Sequence, residues 1–299
     1  MRMTGWTFLK GLFLVGLVST SLASGTQEES DGAPTYHLRT GERAAAPLQQ
    51  QHDMILSDLE AILKECGLKE GMRVWDLGCG TGTLTRLLAE KVGPSGHVWA
   101  LDFSKAQLDV ARATLQEDGY TNVTFVQHDL TQPFAIKEDQ KGDFLVSRFV
   151  LMHLEAPKEA VGLMRDYVKQ GGACLLMEPD NSRNSLARPC EQAQSFRKTL
   201  LEVGEKAGLD YSLGARLACL CEGVWQVKSV REKCYQNNAT GTQKLWRARL
   251  EEMEEKLLAS GMATQGQIDG WRHMIDNLSS KEEGWYSSAL LYYVHGVKE

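Results

Sequence analysis

Short apolar runs alternate with amphipathic segments through the middle of the chain. Five runs have the composition of buried strands, at residues 72–77, 97–102, 123–129, 143–148 and 173–178. Apolar residues recur at every third or fourth position in the segments after the first two runs, which predicts helices there. Buried strands that alternate with helices predict an α/β fold, a parallel sheet with helices on both faces.

The same kind of patterning continues toward both ends of the chain. Helical spacing covers residues 48–66, and a sixth strand is predicted over residues 224–230. Residues 287–294 alternate and predict a last strand, which we expect to lie antiparallel in the sheet. We expect residues 185–222 and 236–280 to supply a helical cap insertion over a cleft; a peripheral packing domain is the alternative.

The N-terminus has the features of a targeting segment over residues 1–24. Arg2 and Lys10 supply positive charge around the short apolar run 11–18, and Ser21-Leu22-Ala23 is a small-x-small cleavage pattern. The segment therefore predicts export or entry to a secretory pathway, with a cytoplasmic location as the alternative. The apolar run is too short for a stable transmembrane span.

The remaining chain divides into two parts by composition. Residues 25–47 are rich in small and polar residues and are predicted to be a linker, or lead-in. Residues 48–299 are predicted to form one domain, with its core at residues 68–180. The 299 residues are 42% hydrophobic and 24% charged, which excludes a disordered chain and a polytopic membrane protein.

Charge and cysteine content narrow the functional classes further. Thirty-three basic against thirty-nine acidic residues give a net charge of −6, so no nucleic-acid partner is expected. The seven cysteines include no CxxC pair, so no metal site is expected, and buried, reduced thiols are favoured.

A glycine-rich turn carries the clearest chemical signal in the sequence. Gly78, Gly80 and Gly82 lie between the first buried strand and a helix. Such a turn lets the backbone approach a ligand, next to the free N–H groups of a helix N-terminus. Asp102 follows Gly82 by 20 positions, where a carboxylate suits the two hydroxyls of a ribose. Together these features predict a site for a nucleoside-type cofactor.

The spacing of the glycines distinguishes between cofactors. A dinucleotide site has the pattern G-x-G-x-x-G, whereas these glycines occupy every second position. Asp76, just before them, would repel a pyrophosphate but attract a cationic ligand. Both features argue against an NAD-type oxidoreductase.

These blocks resemble those of class I S-adenosylmethionine (SAM)-dependent methyltransferases, especially small-molecule enzymes of the quinone-biosynthesis and natural-product type. The resemblance covers residues 48–180 and rests on V-W-D-L-G-C-G-T-G-T-L-T, V-W-A-L-D-F-S, F-V-Q-H-D-L, D-F-L-V-S-R-F-V-L-M-H-L and K-Q-G-G-A-C-L-L-M-E-P-D. It implies a Rossmann-like, doubly wound, mostly parallel seven-stranded sheet with an antiparallel last strand. It also implies SAM as cofactor.

The resemblance assigns the methionine part of SAM to the glycine loop. By motif position, Asp76, Gly78, Cys79, Gly80 and Gly82 would hold that part of the cofactor. Cys79 could also be considered as a nucleophile, but a small packing residue is the favoured interpretation.

The ends of the second and third strands are assigned to the nucleoside part. Asp102 would bind the ribose hydroxyls, with Phe103 against the adenine. Asp129 would meet the adenine amino group, with Leu130 beside it. An ordinary loop-capping carboxylate is the alternative for either acid alone.

The ends of the fourth and fifth strands are assigned to the region between cofactor and acceptor. Ser147 and Arg148 would lie there, and His153 is a candidate general base or a histidine that orders the site. Glu178 and Asp180 are candidates for acceptor binding, with solvent exposure as the alternative.

The sequence thus predicts methyl transfer to a small-molecule acceptor by direct displacement. Alternatives are a binding protein that has lost turnover, suggested by the signal-like segment, and the disfavoured NAD-type oxidoreductase. An arsenite methyltransferase would need paired reactive thiols. The sequence around the candidate thiols, Cys174, Cys190 and Cys219, does not match the pattern of that family.

Overall fold

A seven-stranded sheet forms the centre of the computed structural model, which describes residues 55–187, 190–206, 208–278 and 287–299. The predicted signal-like segment, the linker and the start of the first helix lie outside the described residues. The strands are β1 (Arg73–Leu77), β2 (His97–Asp102), β3 (Val123–Gln127), β4 (Gly142–Arg148), β5 (Val168–Pro179), β6 (Gln226–Asn237) and β7 (Ser287–Val297).

The order of the strands is β3-β2-β1-β4-β5-β7-β6. The first five are parallel to one another, and β7 lies antiparallel between β5 and β6. This arrangement confirms the predicted doubly wound sheet with an antiparallel last strand. The order reverses direction beside β1, and ligands bind in such sheets at the carboxyl ends of the strands around that point.

Helices connect the strands and cover the sheet. Residues 55–65 are the described part of α1. The others are α2 (Thr83–Val92), α3 (Lys105–Glu117), α4 (Pro157–Met164), α5 (Glu191–Lys206), α6 (Leu213–Cys221), α7 (Ala239–Ala259) and α8 (Gln265–Asp276). The apolar positions that predicted α2 are the ones it buries, Leu84, Leu87, Leu88 and Val92.

Alternate residues of the central strands pack on opposite faces, which gives two cores. Val74 and Val146 join α1 and α2 on one face, whereas Trp75 and Leu145 join α4 to α8 on the other. Trp75 stacks on Trp99 with ring centroids 5.1 Å apart. This alternation on doubly covered strands is why their sequences are nearly continuous apolar runs.

The two outer strands differ from expectation. β3 ends at Gln127, before the predicted residue 129, and it is only partly buried because it is an edge strand. β6 continues to Asn237, well past the predicted residue 230, because it pairs with β7 from Gln226 onward. Three consecutive charged residues, Arg231 to Lys233, interrupt the apolar alternation and hid this extension, and charge is common on edge strands.

The helices of the predicted cap regions pack on one another. Phe196 of α5 lies between Trp246 of α7 and Trp271 of α8, with centroid separations of 5.7 and 5.4 Å. Among the residues that the structure describes, no helix is long and apolar enough to cross a membrane.

Candidate active site

The predicted site residues gather where the parallel strands end. Asp76 is near the end of β1, Asp102 ends β2, and Arg148 ends β4. The glycine loop runs from β1 into α2, and Glu178 is the second-to-last residue of β5. One edge of the sheet therefore brings together residues from four strands.

Backbone conformation explains the three glycines of the loop. Gly78, Gly80 and Gly82 have φ values of 79°, 55° and 83°, a region that side chains disfavour. The N–H groups of Gly78 and Cys79 donate to the Leu101 carbonyl at 2.8 and 2.9 Å. These bonds fasten the loop to the end of β2.

Asp102 links the glycine loop to the segment after β2. Its side chain is buried, Oδ2 accepts the Gly80 N–H at 2.8 Å, and Oδ1 accepts the Ser104 N–H at 2.8 Å. Burial raises the pKa of this carboxyl, and the backbone N–H bonds oppose the rise. Each oxygen keeps a further lone pair, so the carboxylate can still accept hydroxyl protons from a ligand.

Asp76 lies beneath the loop and is only 1% exposed. The Thr85 hydroxyl of α2 donates to its Oδ2 at 2.7 Å. Burial raises the pKa of Asp76 to about 6, whereas Thr85 and the nearby Arg148 act to lower it. The site therefore contains an acid whose ionised form a cationic ligand would stabilise.

Arg148 and Ser147 occupy the end of β4. The Arg148 guanidinium lies 5.8 Å from the centre of the Phe149 ring. Burial lowers the pKa of Arg148, and the charges of Asp76 and Tyr293 raise it. Ser147 is fully buried, and its hydroxyl has no hydrogen-bond partner among the described residues.

Cys79 has the environment of a packing residue. It is buried, and burial raises the pKa of its thiol well above the ordinary value. A neutral thiol is a poor nucleophile. All seven cysteines are free, but the expectation that they are buried is wrong for Cys219 and Cys234, which are exposed.

In the segment after β3, the Asp129 side chain accepts hydrogen bonds from the turn that it begins. Asp129 Oδ1 accepts from the Thr131 N–H at 2.9 Å and from the Thr131 hydroxyl at 2.8 Å. Leu130 is buried, and Phe103 is partly buried. The capping interpretation of Asp129 is thus observed, and contact of Asp129, Leu130 and Phe103 with adenine stays a prediction.

His153 ends a short 3-10 turn that begins at Leu151. Burial lowers its pKa to about 4, so the imidazole is neutral at pH 7 and is a weak base. Its assignment as a general base stays a prediction. Among the described residues, no group of three or more His, Cys, Asp or Glu could hold a metal ion.

Sequence reasoning missed several residues of this edge. Solvent exposure, one alternative for Glu178 and Asp180, is wrong, because both are buried. Thr85 was not singled out, although a hydroxyl three residues after the last loop glycine was a usable signal. Val150, whose side chain lies where a Cβ atom on Gly78 would be, has no signal in the sequence, because this contact depends on the fold.

Comparison with known proteins identifies the class. The family model described as a methyltransferase domain matches residues 68–253. The chain therefore belongs to this methyltransferase family, and the resemblance given by the sequence blocks is confirmed. The match supports SAM as the cofactor, as predicted, and gives no support to the oxidoreductase or the non-enzymatic alternative.

Individual proteins agree with this assignment. The ubiquinone/menaquinone biosynthesis C-methyltransferase UbiE of Pseudomonas paraeruginosa is 36% identical over 132 residues, 44% of this chain and 50% of that protein. The chain thus spans about half the length of the curated relatives that it matches.

Solved structures share the fold. A SAM-dependent methyltransferase from Aquifex aeolicus has a TM-score of 0.53 at 18% identity, covering 84% of this chain and 95% of that one. The [4+2]-cyclase SpnF has a TM-score of 0.52 at 18% identity, covering 83% and 82%. Since the second name denotes a different reaction, the fold alone does not define the chemistry.

Proposed function

We propose that this protein transfers a methyl group from SAM to a small-molecule acceptor by direct displacement. The observation that carries the proposal is the buried Asp102 carboxylate, bonded to Gly80 of a loop whose three glycines have positive φ. A glycine loop of this kind is typical of sites where a ligand approaches the protein backbone, and the carboxylate retains lone pairs for hydroxyls. Family membership independently supports the same cofactor.

The residues of the edge fit the parts of SAM. Asp102 would bind the ribose hydroxyls, and the glycine loop with Asp76 would hold the methionine part with its ammonium group. The bound cofactor supplies a methyl group on a positively charged sulfur, which is already electrophilic. The protein's main task is to align the acceptor and exclude water, and orientation alone can contribute roughly 7–11 kcal/mol.

The acceptor is proposed to reach the site from the side covered by α5, α7 and α8. These helices share a hydrophobic core with Leu151 and Met152, the two residues that precede His153. The lowered pKa of His153 makes it a weak base, which favours an acceptor that releases its proton readily. A carbon acid or a phenol of low pKa would suit this weak base, and an acceptor that is already an anion would need none.

Calorimetric titration with SAM and with S-adenosylhomocysteine (SAH) tests the proposal. Saturable binding of both ligands is expected, and Asp102→Ala should weaken it at least about tenfold, which corresponds to about 1.4 kcal/mol. Asp109→Ala is the control, because this acid is exposed on α3 and paired with Lys105. Absence of binding by the folded wild-type protein would reject the proposal.

Transfer itself needs a separate measurement. With methyl-labelled SAM and a panel of phenols, quinols and carbon acids, the label should appear in one class of acceptor. Binding without transfer to any of them would favour a protein that retains the cofactor fold without turnover.

We also propose that residues 1–24 are a cleaved signal segment. The proposal rests on the two basic residues, the apolar run and the pattern that ends at Ala23. Mass spectrometry of the protein from its own cells should find a new N-terminus near residue 24. An intact N-terminus on protein recovered from the cytosol would contradict it.

A further inference from the structure

Glu178 is a buried acid that the proposed function does not use. Its side chain is 0% exposed at the end of β5. Oε1 accepts the Val150 N–H at 2.9 Å and the Leu151 N–H at 2.7 Å. One carboxylate oxygen therefore binds two successive backbone amides of the segment that follows β4.

These two amides stand at the start of the 3-10 turn Leu151–His153, where the turn itself supplies no acceptor. The residue before them, Phe149, has a φ of 60° and is the one non-glycine residue in the described chain with a positive φ. Such backbone strain persists only where the surroundings hold it. The Phe149 N–H donates to the Met177 carbonyl at 2.9 Å, so β5 fastens the strained segment at two successive residues.

The same segment touches the glycine loop. A Cβ atom added to Gly78 would overlap Val150 Cγ2. Val150 thus packs directly against the backbone of Gly78, and the position of Val150 limits where the loop can lie. Glu178 holds the amide of Val150, so it is connected to the glycine loop through one residue.

We propose that Glu178 is a positioning residue for the cofactor, which fixes the glycine loop by holding Val150 against Gly78. The proposal rests on the proposed function, because it concerns the affinity of the SAM site. Glu178 itself contacts backbone of the protein. Glu178 therefore affects the affinity for SAM only if its side chain is long enough to keep an acceptor oxygen at the Val150 and Leu151 amides.

The second carboxyl oxygen of Glu178 shows that a neutral side chain can replace the acid in a test. Oε2 is buried without a hydrogen-bond partner among the described residues. Burial raises the pKa of Glu178 to about 8, and the charge of Asp210 adds to the rise, whereas the backbone N–H bonds oppose it. A neutral side chain with the same acceptor is thus close to the form present at pH 7.

Three variants test whether SAH affinity depends on the positioning of Val150 by Glu178 or is lowered by the alteration of any such acid. Glu178→Gln keeps the length and one acceptor oxygen, and its affinity for SAH should stay within about threefold of wild type. Glu178→Asp keeps the carboxyl group but is one methylene shorter, and should bind SAH at least about tenfold more weakly. Asp143→Asn is the matched control, because this acid also accepts a backbone N–H, that of Arg73 at 2.8 Å, but lies near the start of β4, and it should leave affinity unchanged.

A double-mutant cycle tests the connection through Val150. If Glu178 acts through this residue, Glu178→Asp and Val150→Ala should have non-additive effects on SAH affinity, whereas independent effects would add. Additive effects, or a Glu178→Asp variant that binds as tightly as wild type, would overturn the proposal.

Hydrogen exchange of the ligand-free protein separates this proposal from the proposed function. The Val150 and Leu151 amides should exchange faster in Glu178→Asp than in wild type or Glu178→Gln, whether or not SAH binds. Unchanged exchange at both amides would refute the positioning role. Loss of SAH binding in the wild type, with the exchange effect present, would instead reject the SAM site. If Glu178→Asp does not fold, a folded Glu178→Gln that loses SAH affinity more than tenfold would still overturn the proposal.

Discussion

Two carboxyl groups in the site are buried in different ways. Asp102 receives two backbone N–H bonds, whereas Asp76 receives one hydroxyl bond and lies near the Arg148 guanidinium. Backbone N–H bonds favour the ionised form directly. Asp76 has fewer such bonds, and its charged form is therefore the more dependent on a ligand or on Arg148.

The raised pKa of Asp76 makes stability depend on pH. Its pKa rises from 3.8 to about 6 on folding, so the folded protein binds the proton more tightly than the unfolded chain. The associated stability is present at low pH and is lost as pH rises through about 6. Two pKa units correspond to about 3 kcal/mol.

Asp76→Asn should therefore flatten this dependence. Between pH 4 and pH 7, the free energy of unfolding of the wild type should fall relative to that of the variant, by up to about 3 kcal/mol. Urea denaturation at several pH values measures the difference. Parallel profiles for the two proteins would show that Asp76 does not titrate in this range.

A pair of glycines separates backbone strain from steric overlap. Gly78 and Gly119 have φ values of 79° and 82°, but only Gly78 has a neighbour, Val150, where a Cβ would lie. Gly119→Ala should cost about 1 kcal/mol from the backbone alone. Gly78→Ala should cost a further 1–3 kcal/mol or so from overpacking.

Denaturant unfolding of both variants measures these costs. Val150→Ala should recover part of the loss in Gly78→Ala and none in Gly119→Ala. Equal losses of unfolding free energy in the two glycine variants would mean that the Val150 side chain moves aside without a measurable cost.

At this scale, the sequence predicts residues whose role lies in a local pattern. The glycines and Asp102 form a strand–turn–helix signature, and it was sufficient to place them. Glu178 and Val150 are 28 positions apart, and their contact depends on the pairing of β4 with β5. No local pattern encodes such a contact.

Helices and strands also divide into those that their own sequence predicts and those that depend on contacts with distant segments. The apolar spacing that predicted α2 and the last strand is intrinsic to each segment, and both are present. The extension of β6 past residue 230 is not intrinsic, because Arg231, Glu232 and Lys233 acquire a strand conformation by pairing with β7. Propensity is a weaker guide on an edge strand than pairing is.

The aromatic contacts among α5, α7 and α8 give a prediction at this scale. Phe196 is fully buried between two tryptophans, so Phe196→Ala should lower the free energy of unfolding by about 3–5 kcal/mol. Val230→Ala, on a side chain that is 49% exposed, should change it by less than about 0.5 kcal/mol.

Hydrogen exchange can locate the effect of Phe196→Ala. The amides of α7 and α8 should lose protection before those of β1, because the aromatic cluster joins the helices to one another. Equal loss in the helices and in β1 would show that the whole domain unfolds as one unit.

In the whole molecule, β7 connects the parallel part of the sheet to β6. It pairs with β5 from Ala173 to Pro179 and with β6 over the length of that strand. The antiparallel direction of this strand was predicted from the resemblance of the sequence to class I methyltransferases. The register between β5 and β7 could not be predicted, since it pairs residues more than a hundred positions apart.

Removal of β7 should therefore affect more than one edge. A chain that ends at residue 286 should lose the cooperative unfolding transition in urea, because β6 has no other partner among the described strands. A chain that ends at residue 297 retains β7 and should keep the transition. A cooperative transition in the shorter chain would show that the strands β1 to β5 suffice for folding.

The position of β7 also constrains how the protein is made. The ribosome completes β6 about fifty residues before β7, yet β6 can join the sheet only through β7. Throughout that interval a nascent strand of twelve residues has its backbone hydrogen-bonding groups unpaired in the sheet. We expect its charged residues, Lys228 and Arg231 to Lys233, to keep the waiting strand from pairing with other newly made chains.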